Sequence, residues 1–328
     1  MHGKYLILAW VMAFAVLFTA CQEDEYALPE AKTHLQNDCI KRTIGPHLVG
    51  LDIEFVYAAA LGHGKGKITS MEVEATIPGA SGTFMEHRSF FTNASGIDIP
   101  VVIGNPSVTT GGKTEVVFTR DTVAAALRYY YIVPEDARGK TVSFTFTAKA
   151  STGETVTYKM GPYTIAKMDI MRNIALSDNN LAYFSIADMT AYNAAGAAAN
   201  AAKVDLVYLF RTITGVTFNH ALVAPAAPAD YRPGITLPAG VANDAKVLRT
   251  WALRDRHLAN LQFGVYVDDL DFEKLDLSDA PNWALNLRAE SGAWVETADG
   301  KYRAYIYVNA VNNTARTMTI SIKRYTVK

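Results

Sequence analysis

The sequence has little cysteine: Cys21 and Cys39 are the only two in 328 residues. Two cysteines cannot supply a multi-bridge disulfide scaffold or a cysteine-based zinc site. If Cys21 is modified, Cys39 is left without a partner, and stability must come from buried apolar surface. Excess charge is also missing. Lys and Arg number 31 against 32 Asp and Glu, for a formal net charge of −1, and no basic block stands out. The electrostatic footprint of a nucleic-acid binder is therefore absent. No apolar run reaches the about 20 residues needed to span a bilayer as a helix. Catalytic signatures are sparse: there is no Gly-x-Ser-x-Gly, His-Glu-x-x-His or P-loop. His34, His47, His63, His87, His220 and His257 share no ligand spacing, and His2 lies in the leader. The expectation is no cofactor, no metal and no nameable catalytic residue. Apolar content is ample. Half the residues are hydrophobic and 19% are charged, enough for ordinary packed cores.

The sharpest stretch is N-terminal. Lys4 precedes an uncharged apolar run from Leu6 to Phe18, which by length and flanks reads as a secretory signal. Thr19, Ala20 and Cys21 follow. This resembles a bacterial lipobox, with Phe18 where Leu is usual. The resemblance implies cleavage before Cys21, diacylation of its thiol and acylation of the new amine. Each buried methylene contributes about 0.8 kcal/mol, so several chains give a stable membrane anchor. An ordinary secreted protein with a Cys at its cleavage site is the alternative. Glu23-Asp24-Glu25 reads as a solvated tether. It is also similar to the export signal of Bacteroidetes-type surface lipoproteins, which implies an outer-membrane location facing the exterior.

The organisation expected is a signal peptide over 1–20 and a lipidated Cys with acidic tether over 21–47. An immunoglobulin-like β-sandwich over 48–166 follows, then a β-rich ligand-binding candidate domain over 167–328. In the first domain Leu51, Ile53, Phe55 and Tyr57 alternate with Asp52, Glu54 and Val56. Thr141–Ala148 has strict period two, with Val142, Phe144, Phe146 and Ala148 on one face. Ser151-Thr152-Gly153 turns it into a hairpin. Several such short strands without a long helical period argue for a sandwich. In Tyr129-Tyr130-Tyr131, Tyr130 faces opposite its neighbours. The second domain is mixed and reads as a sandwich or jelly roll with helical insertions. Ala191–Ala202 predicts a short helix with Thr190 as N-cap, weakened by Gly196. Lys203–Arg211 predicts a strand buried on both faces. Residues 219–245, with four prolines, read as loop. Tyr302 to Ile322 predicts a closing hairpin.

Together, the lipobox, the acidic tether, the immunoglobulin-like first half, Lys203-Val204-Asp205-Leu206-Val207-Tyr208, His220-Ala221-Leu222-Val223-Ala224-Pro225 and Asp299-Gly300-Lys301-Tyr302-Arg303 resemble two-domain surface lipoproteins of Bacteroidetes-type gut bacteria. Many of these sit beside outer-membrane glycan importers. The resemblance implies a non-catalytic protein that captures glycan for an uptake complex, with no catalytic residues to carry over. Asp121-Thr122-Val123 further looks like the short O-glycosylation signal of those organisms.

A sugar site needs flat aromatics with polar groups nearby. The candidates are Trp251, Trp283, Trp294, Arg303, Tyr305 and Tyr307. If Ile306 and Val308 face the core, Tyr305 and Tyr307 form an exposed ladder flanked by Arg303; otherwise they pack beneath a loop or domain. The acidic stretch Asp268 to Asp279 could suit Ca²⁺, but it lacks the Gly and closing Glu of an EF-hand. It reads better as an amphipathic segment with a solvated face. Two other functions stay open: adhesion through protein–protein contacts, and a glycoside hydrolase whose carboxylates converge only in the fold.

Overall fold

The computed structural model describes residues 32–259 and 261–327. Cys21, the apolar leader and the acidic run lie outside them. The first half contains β1 (Gln36–Lys41), β2 (Asp52–Ala60), β3 (Ile68–Ala75), β4 (Phe84–Met85), β5 (Arg88–Thr92), β6 (Asp98–Val102), β7 (Val108–Thr110), β8 (Lys113–Val117), β9 (Ala124–Ile132), β10 (Thr141–Ala150) and β11 (Thr155–Thr164). They make one sheet of order β1-β2-β9-β4 and a second of order β11-β10-β3-β8-β7, with β5–β6 as a separate hairpin. This is the expected immunoglobulin-like sandwich. Alternation decides which side chains meet. Phe55, Tyr57, Tyr129 and Tyr131 from one sheet meet Phe144 and Phe146 from the other, all buried. Ring centroids lie 4.7 Å apart for Phe55–Phe144 and 4.9 Å for Tyr131–Phe144. Tyr130 points outward and stacks on Phe84 at 4.9 Å.

The lead-in differs from expectation. Residues 36–41 are not tether but strand β1, paired with β2 from Gln36↔Ala60 to Lys41↔Phe55. Only Cys39 in that strand is fully buried, so the local sequence shows no two-residue apolar period. Partner hydrogen bonds, not its own pattern, make it a strand. The Cys39 thiol packs in the core, where burial pushes it up to about 12.

The second half contains β12 (Asp169–Ser177), β13 (Tyr183–Ser185), β14 (Thr190–Tyr192), β15 (Leu206–Ile213), β16 (Val216–Val223), β17 (Lys246–Trp251), β18 (Trp283–Leu287), β19 (Ser291–Glu296), β20 (Tyr302–Asn312) and β21 (Thr317–Thr326). Two five-stranded sheets result, β12-β21-β20-β19-β17 and β14-β13-β15-β16-β18. Leu206, Tyr208 and Leu222 face Ile306, Val308 and Ile320 across the core. The Ala-rich helix is shorter than expected: α1 (Ala194–Ala199) is capped by Asn193, whose side chain accepts from the Gly196 amide at 2.8 Å, while Thr190 lies in β14. Asn at that position satisfies an end amide that Thr190, held in the sheet ladder, does not reach. The predicted loop over 219–245 loses its first residues to β16, because His220, Leu222 and Val223 find partners across β15 and β18. The acidic stretch forms α3 (Asp269–Glu273), following α2 (Arg256–Ala259), with a capping box from Asp268 and Asp271. No cluster of three or more His, Cys, Asp or Glu able to hold a metal occurs among the described residues. No helix among them is long and apolar enough to cross a membrane.

Residues 252–259 and 261–273 lie across the outer face of the sheet carrying β20. Beneath them Tyr305, Tyr307 and Tyr325 pack with Phe272 of the cover and with Leu48, Ala166 and Met168 from the junction of the two halves. The cover is pinned by a fully buried ion pair: Lys323 Nζ donates to Asp255 Oδ2 and to the Val267 carbonyl, both at 2.7 Å. Asp255 also accepts from the amides of His257, Leu258 and Val267. An ion pair with its remaining lone pairs satisfied tolerates such burial.

Candidate functional site

The aromatic candidates do not converge. Tyr305 is fully buried and its hydroxyl donates to the Leu253 carbonyl at 2.5 Å; Tyr307 is buried beside it. The exposed ladder is thus not formed, because the 252–273 cover hides the face opposite Ile306 and Val308. Trp294 packs half-buried on Tyr305 and Phe272, at 4.7 and 5.4 Å. Arg303 is held by Glu296 at 2.7 Å and by the Phe272 carbonyl at 2.6 Å. Trp283 stacks on Tyr231 at 3.8 Å. Trp251 is 50% exposed, but the Arg288 guanidinium sits 4.1 Å from its ring centroid. Thr122 of the glycosylation-like triplet is buried, its hydroxyl donating to the Arg120 carbonyl.

A different set of residues does converge. A cavity of about 490 Å³ opens at one end of the second sandwich, lined by Lys203, Asp205, Asn243, Thr297, Asp299, Lys301 and Tyr302. Three local structures build it. Asp205 stands just before β15, where its amide pairs with the Phe184 carbonyl and its Oδ2 accepts from the Ile186 amide at 2.8 Å. A single 3-10 turn, Ala201–Lys203, presents Lys203, and Asn243 ties to it by donating to the Ala202 carbonyl at 2.9 Å. The turn between β19 and β20 supplies the rest. Asp299 Oδ1 accepts from the Thr297 hydroxyl at 2.8 Å and from the Lys301 amide at 3.0 Å, and Gly300 takes φ of 64°. That left-handed backbone is cheap only for glycine.

The two pocket carboxyls are driven apart. Asp205 is 4% exposed. Burial pushes it up to about 7; the Ile186 amide pulls the other way, and the Asp299 charge pushes it further up. For Asp299, partial burial opposes ionisation, but the Lys301 amide, the Thr297 hydroxyl and the Lys301 ammonium outweigh it and hold it at about 2. Near neutral pH one carboxyl can therefore donate a hydrogen bond while the other only accepts. Lys203 pairs with Asp188 and Lys301 with Asp299, at 3.1 and 3.0 Å, so neither ammonium leaves a large unbalanced charge. Tyr302 is half-buried, with the Arg324 guanidinium 5.0 Å from its ring centroid. The result is a nearly charge-balanced cavity with donors, acceptors and one aromatic wall. Such a lining suits an uncharged ligand rich in hydroxyls better than a strongly charged one.

A second cavity, of about 500 Å³, lies in the first sandwich between the alanines of β2 and β9 and the rings of Phe90 and Phe91. Methyl and phenyl groups make most of its wall, and Gln36, Asn37, Asp38 and Ser89 supply its polar atoms.

None of the polar residues of the end cavity stood among the aromatic candidates. Two of the segments that carried the family resemblance, Lys203–Tyr208 and Asp299–Arg303, meet there. The local signal was Asp205 itself, a carboxylate set between Val204 and Leu206 at the head of a doubly buried strand.

Fold and cavity together define a mainly β, two-sandwich protein with a polar pocket at the end of the second sandwich. The chain belongs to the DUF4466 family, whose function is not known. Residues 32–165 match the family described as "Domain of unknown function (DUF4466)", and residues 166–327 match "Domain of unknown function (DUF8576)". The chain is similar to a crystal structure of a DUF4466 family protein from Parabacteroides merdae, at 44% identity and a TM-score of 0.84, covering 90% of this chain and 99% of that one. The BcpA major pilin subunit of Bacillus cereus overlaps at 8% identity and a TM-score of 0.27, covering 46% of each chain. That overlap is too low to carry any argument. No curated protein matches the chain.

Proposed function

We propose that this is a cell-surface lipoprotein that captures an extracellular glycan in the end pocket of its second sandwich, as a non-catalytic accessory to nutrient uptake. The observation that carries the reading is the convergence of Asp205, Asn243, Asp299, Lys301 and Tyr302 on one cavity large enough for a short saccharide. The lipobox-like Leu17–Cys21 and the acidic residues after it support surface display, and the Parabacteroides relative fits that setting. Affinity electrophoresis of residues 22–328 against plant, host and microbial polysaccharides tests it. Retardation in one gel, lost on Asp299→Ala and Tyr302→Ala, is the expected result. No retardation in any gel sinks the glycan reading and favours adhesion through protein contacts.

The split pair Asp205 and Asp299 favours a second reading, hydrolysis, since a protonated and an ionised carboxyl are what glycosidic cleavage requires. Loss of polysaccharide during incubation, abolished by Asp205→Asn, would establish it over binding alone.

A further inference from the structure

The end of the second sandwich where β17 leaves its sheet carries an unusual surface. Trp251 is followed by the segment that holds Leu261, Phe263 and Val265, and all four side chains are exposed, Phe263 by 79%. Backbone contacts gather this apex. The Ala252 amide bonds to the Glu290 carbonyl, the Val265 amide to the Arg254 carbonyl, and the Arg256 amide back to the Val265 carbonyl. Gly264 lies so close that a Cβ there would sit 2.4 Å from the Arg254 carbonyl oxygen.

Three arginines contact the same stretch of chain. Arg288 stacks on Trp251, Arg256 lies over the Tyr266 ring at 5.0 Å, and Arg172 donates to the His257 carbonyl at 2.6 Å. The carboxylates of the same segments are already engaged: Glu290 by Arg254 at 2.6 Å, and Asp255 by the buried Lys323. Arg172, Arg256 and Arg288 have no carboxylate partner among the described residues. Arg256 Nε is buried without any hydrogen-bond partner there. Protruding apolar side chains on a segment contacted by guanidinium groups without carboxylate partners match an interface with apolar depth and anionic phosphates at its surface. A sugar platform fits less well, because Arg288 already covers a face of Trp251.

We infer that this apex, Trp251, Leu261, Phe263 and Val265 with Arg172, Arg256 and Arg288, docks onto a phosphate-bearing lipid surface. The geometry is compatible with anchoring through Cys21. The thirteen residues from Cys21 to Thr33 reach at most about 40 Å when extended, enough to let the molecule lie against the membrane that holds it. The inference itself does not require the anchor. Docking at the apex would fix the orientation of the second sandwich and hold its polar pocket, which lies at the Lys246–Glu296 end of the β17–β19 pair, away from the lipid.

The test uses residues 22–328, which retain every strand of both sandwiches and lack the acyl chains. Sedimentation with phosphatidylglycerol vesicles is compared with phosphatidylcholine vesicles, at low and high salt, while Trp fluorescence is recorded. Binding to the anionic vesicles alone, weakened by salt and accompanied by a blue shift, is expected. Phe263→Ser should weaken it about tenfold, and Arg288→Ser about fivefold. Phe91→Ser, an exposed aromatic of the first sandwich, should leave it unchanged. Millimolar inorganic phosphate should not compete it away, because phosphate lacks the apolar component. Absence of vesicle binding, equal binding to both vesicles, full competition by phosphate, or unchanged binding by the Phe263 and Arg288 variants would each overturn the inference.

Discussion

Asp205→Asn gives the most demanding test of the pocket's electrostatics. The side chain is nearly inaccessible and keeps its hydrogen bond from Ile186, which an amide oxygen can still accept. Its carboxyl titrates near 7 in the folded chain against 3.8 for the ordinary group. The folded state therefore holds its proton longer than the unfolded state. Stability contributed at this site falls as pH rises from about 4 through about 7, and is level beyond. Each pKa unit corresponds to about 1.4 kcal/mol, so the native carboxyl costs about 4 kcal/mol at pH values near 8 and about 1.5 kcal/mol near 5. The amide has no proton to lose. Any fixed effect of the swap is the same at both pH values and cancels in the comparison. Asp205→Asn should thus gain between about 2 and 3 kcal/mol relative to the native chain on going from pH near 5 to pH near 8. Urea unfolding followed by Trp fluorescence measures this directly, because Trp251, Trp283 and Trp294 all lie in the second sandwich and Trp10 lies in the leader. A stability difference that does not change with pH would refute the claim that burial holds Asp205 protonated.

Lys323→Met removes the cation from the pair that pins the 252–273 cover and leaves the Asp255 carboxylate buried and uncompensated. A loss of about 3–5 kcal/mol in urea unfolding is expected, whereas a loss below about 1 kcal/mol would show that water reaches the pair. Cys39 should resist a thiol reagent at neutral pH in the folded chain and react fully after denaturation, since its thiol is buried and hard to ionise. Prompt labelling of the native protein would show that β1 detaches from its sheet.

Strand character was legible wherever two conditions met: strict alternation and a turn of recognisable chemistry. The hairpin of β10 and β11 satisfies both, and its inward residues Val142, Phe144, Phe146 and Ala148 are all buried. The closing hairpin of β20 and β21 reads the same way. β1 was not legible, because an edge strand with one buried residue carries no periodic signal. Thr190 was misread as a cap because the sequence shows a hydroxyl before alanines but not the β13 partner that recruits it into a sheet. Tyr305 and Tyr307 show the limit most clearly. Their alternation with Ile306 and Val308 correctly assigns them to the opposite face of the sheet. Whether that face is wet depends on a segment some fifty residues earlier, as the Tyr305 bond to Leu253 shows.

The sequence by itself determined a mainly β chain without the means for a disulfide scaffold, with an apolar N-terminal run ahead of Cys21 and two runs of short strands. Those properties follow from composition and from periods of two residues, both of which are local. Only the tertiary structure decided where the polar pocket lies. Asp205, Asn243 and Asp299 are far apart in sequence, and each is unremarkable in its own segment. Their chemistry arises from mutual approach and from exclusion of water, which push one carboxyl up and hold the other down. Burial and proximity are properties of the packed chain, and no single stretch of residues encodes them.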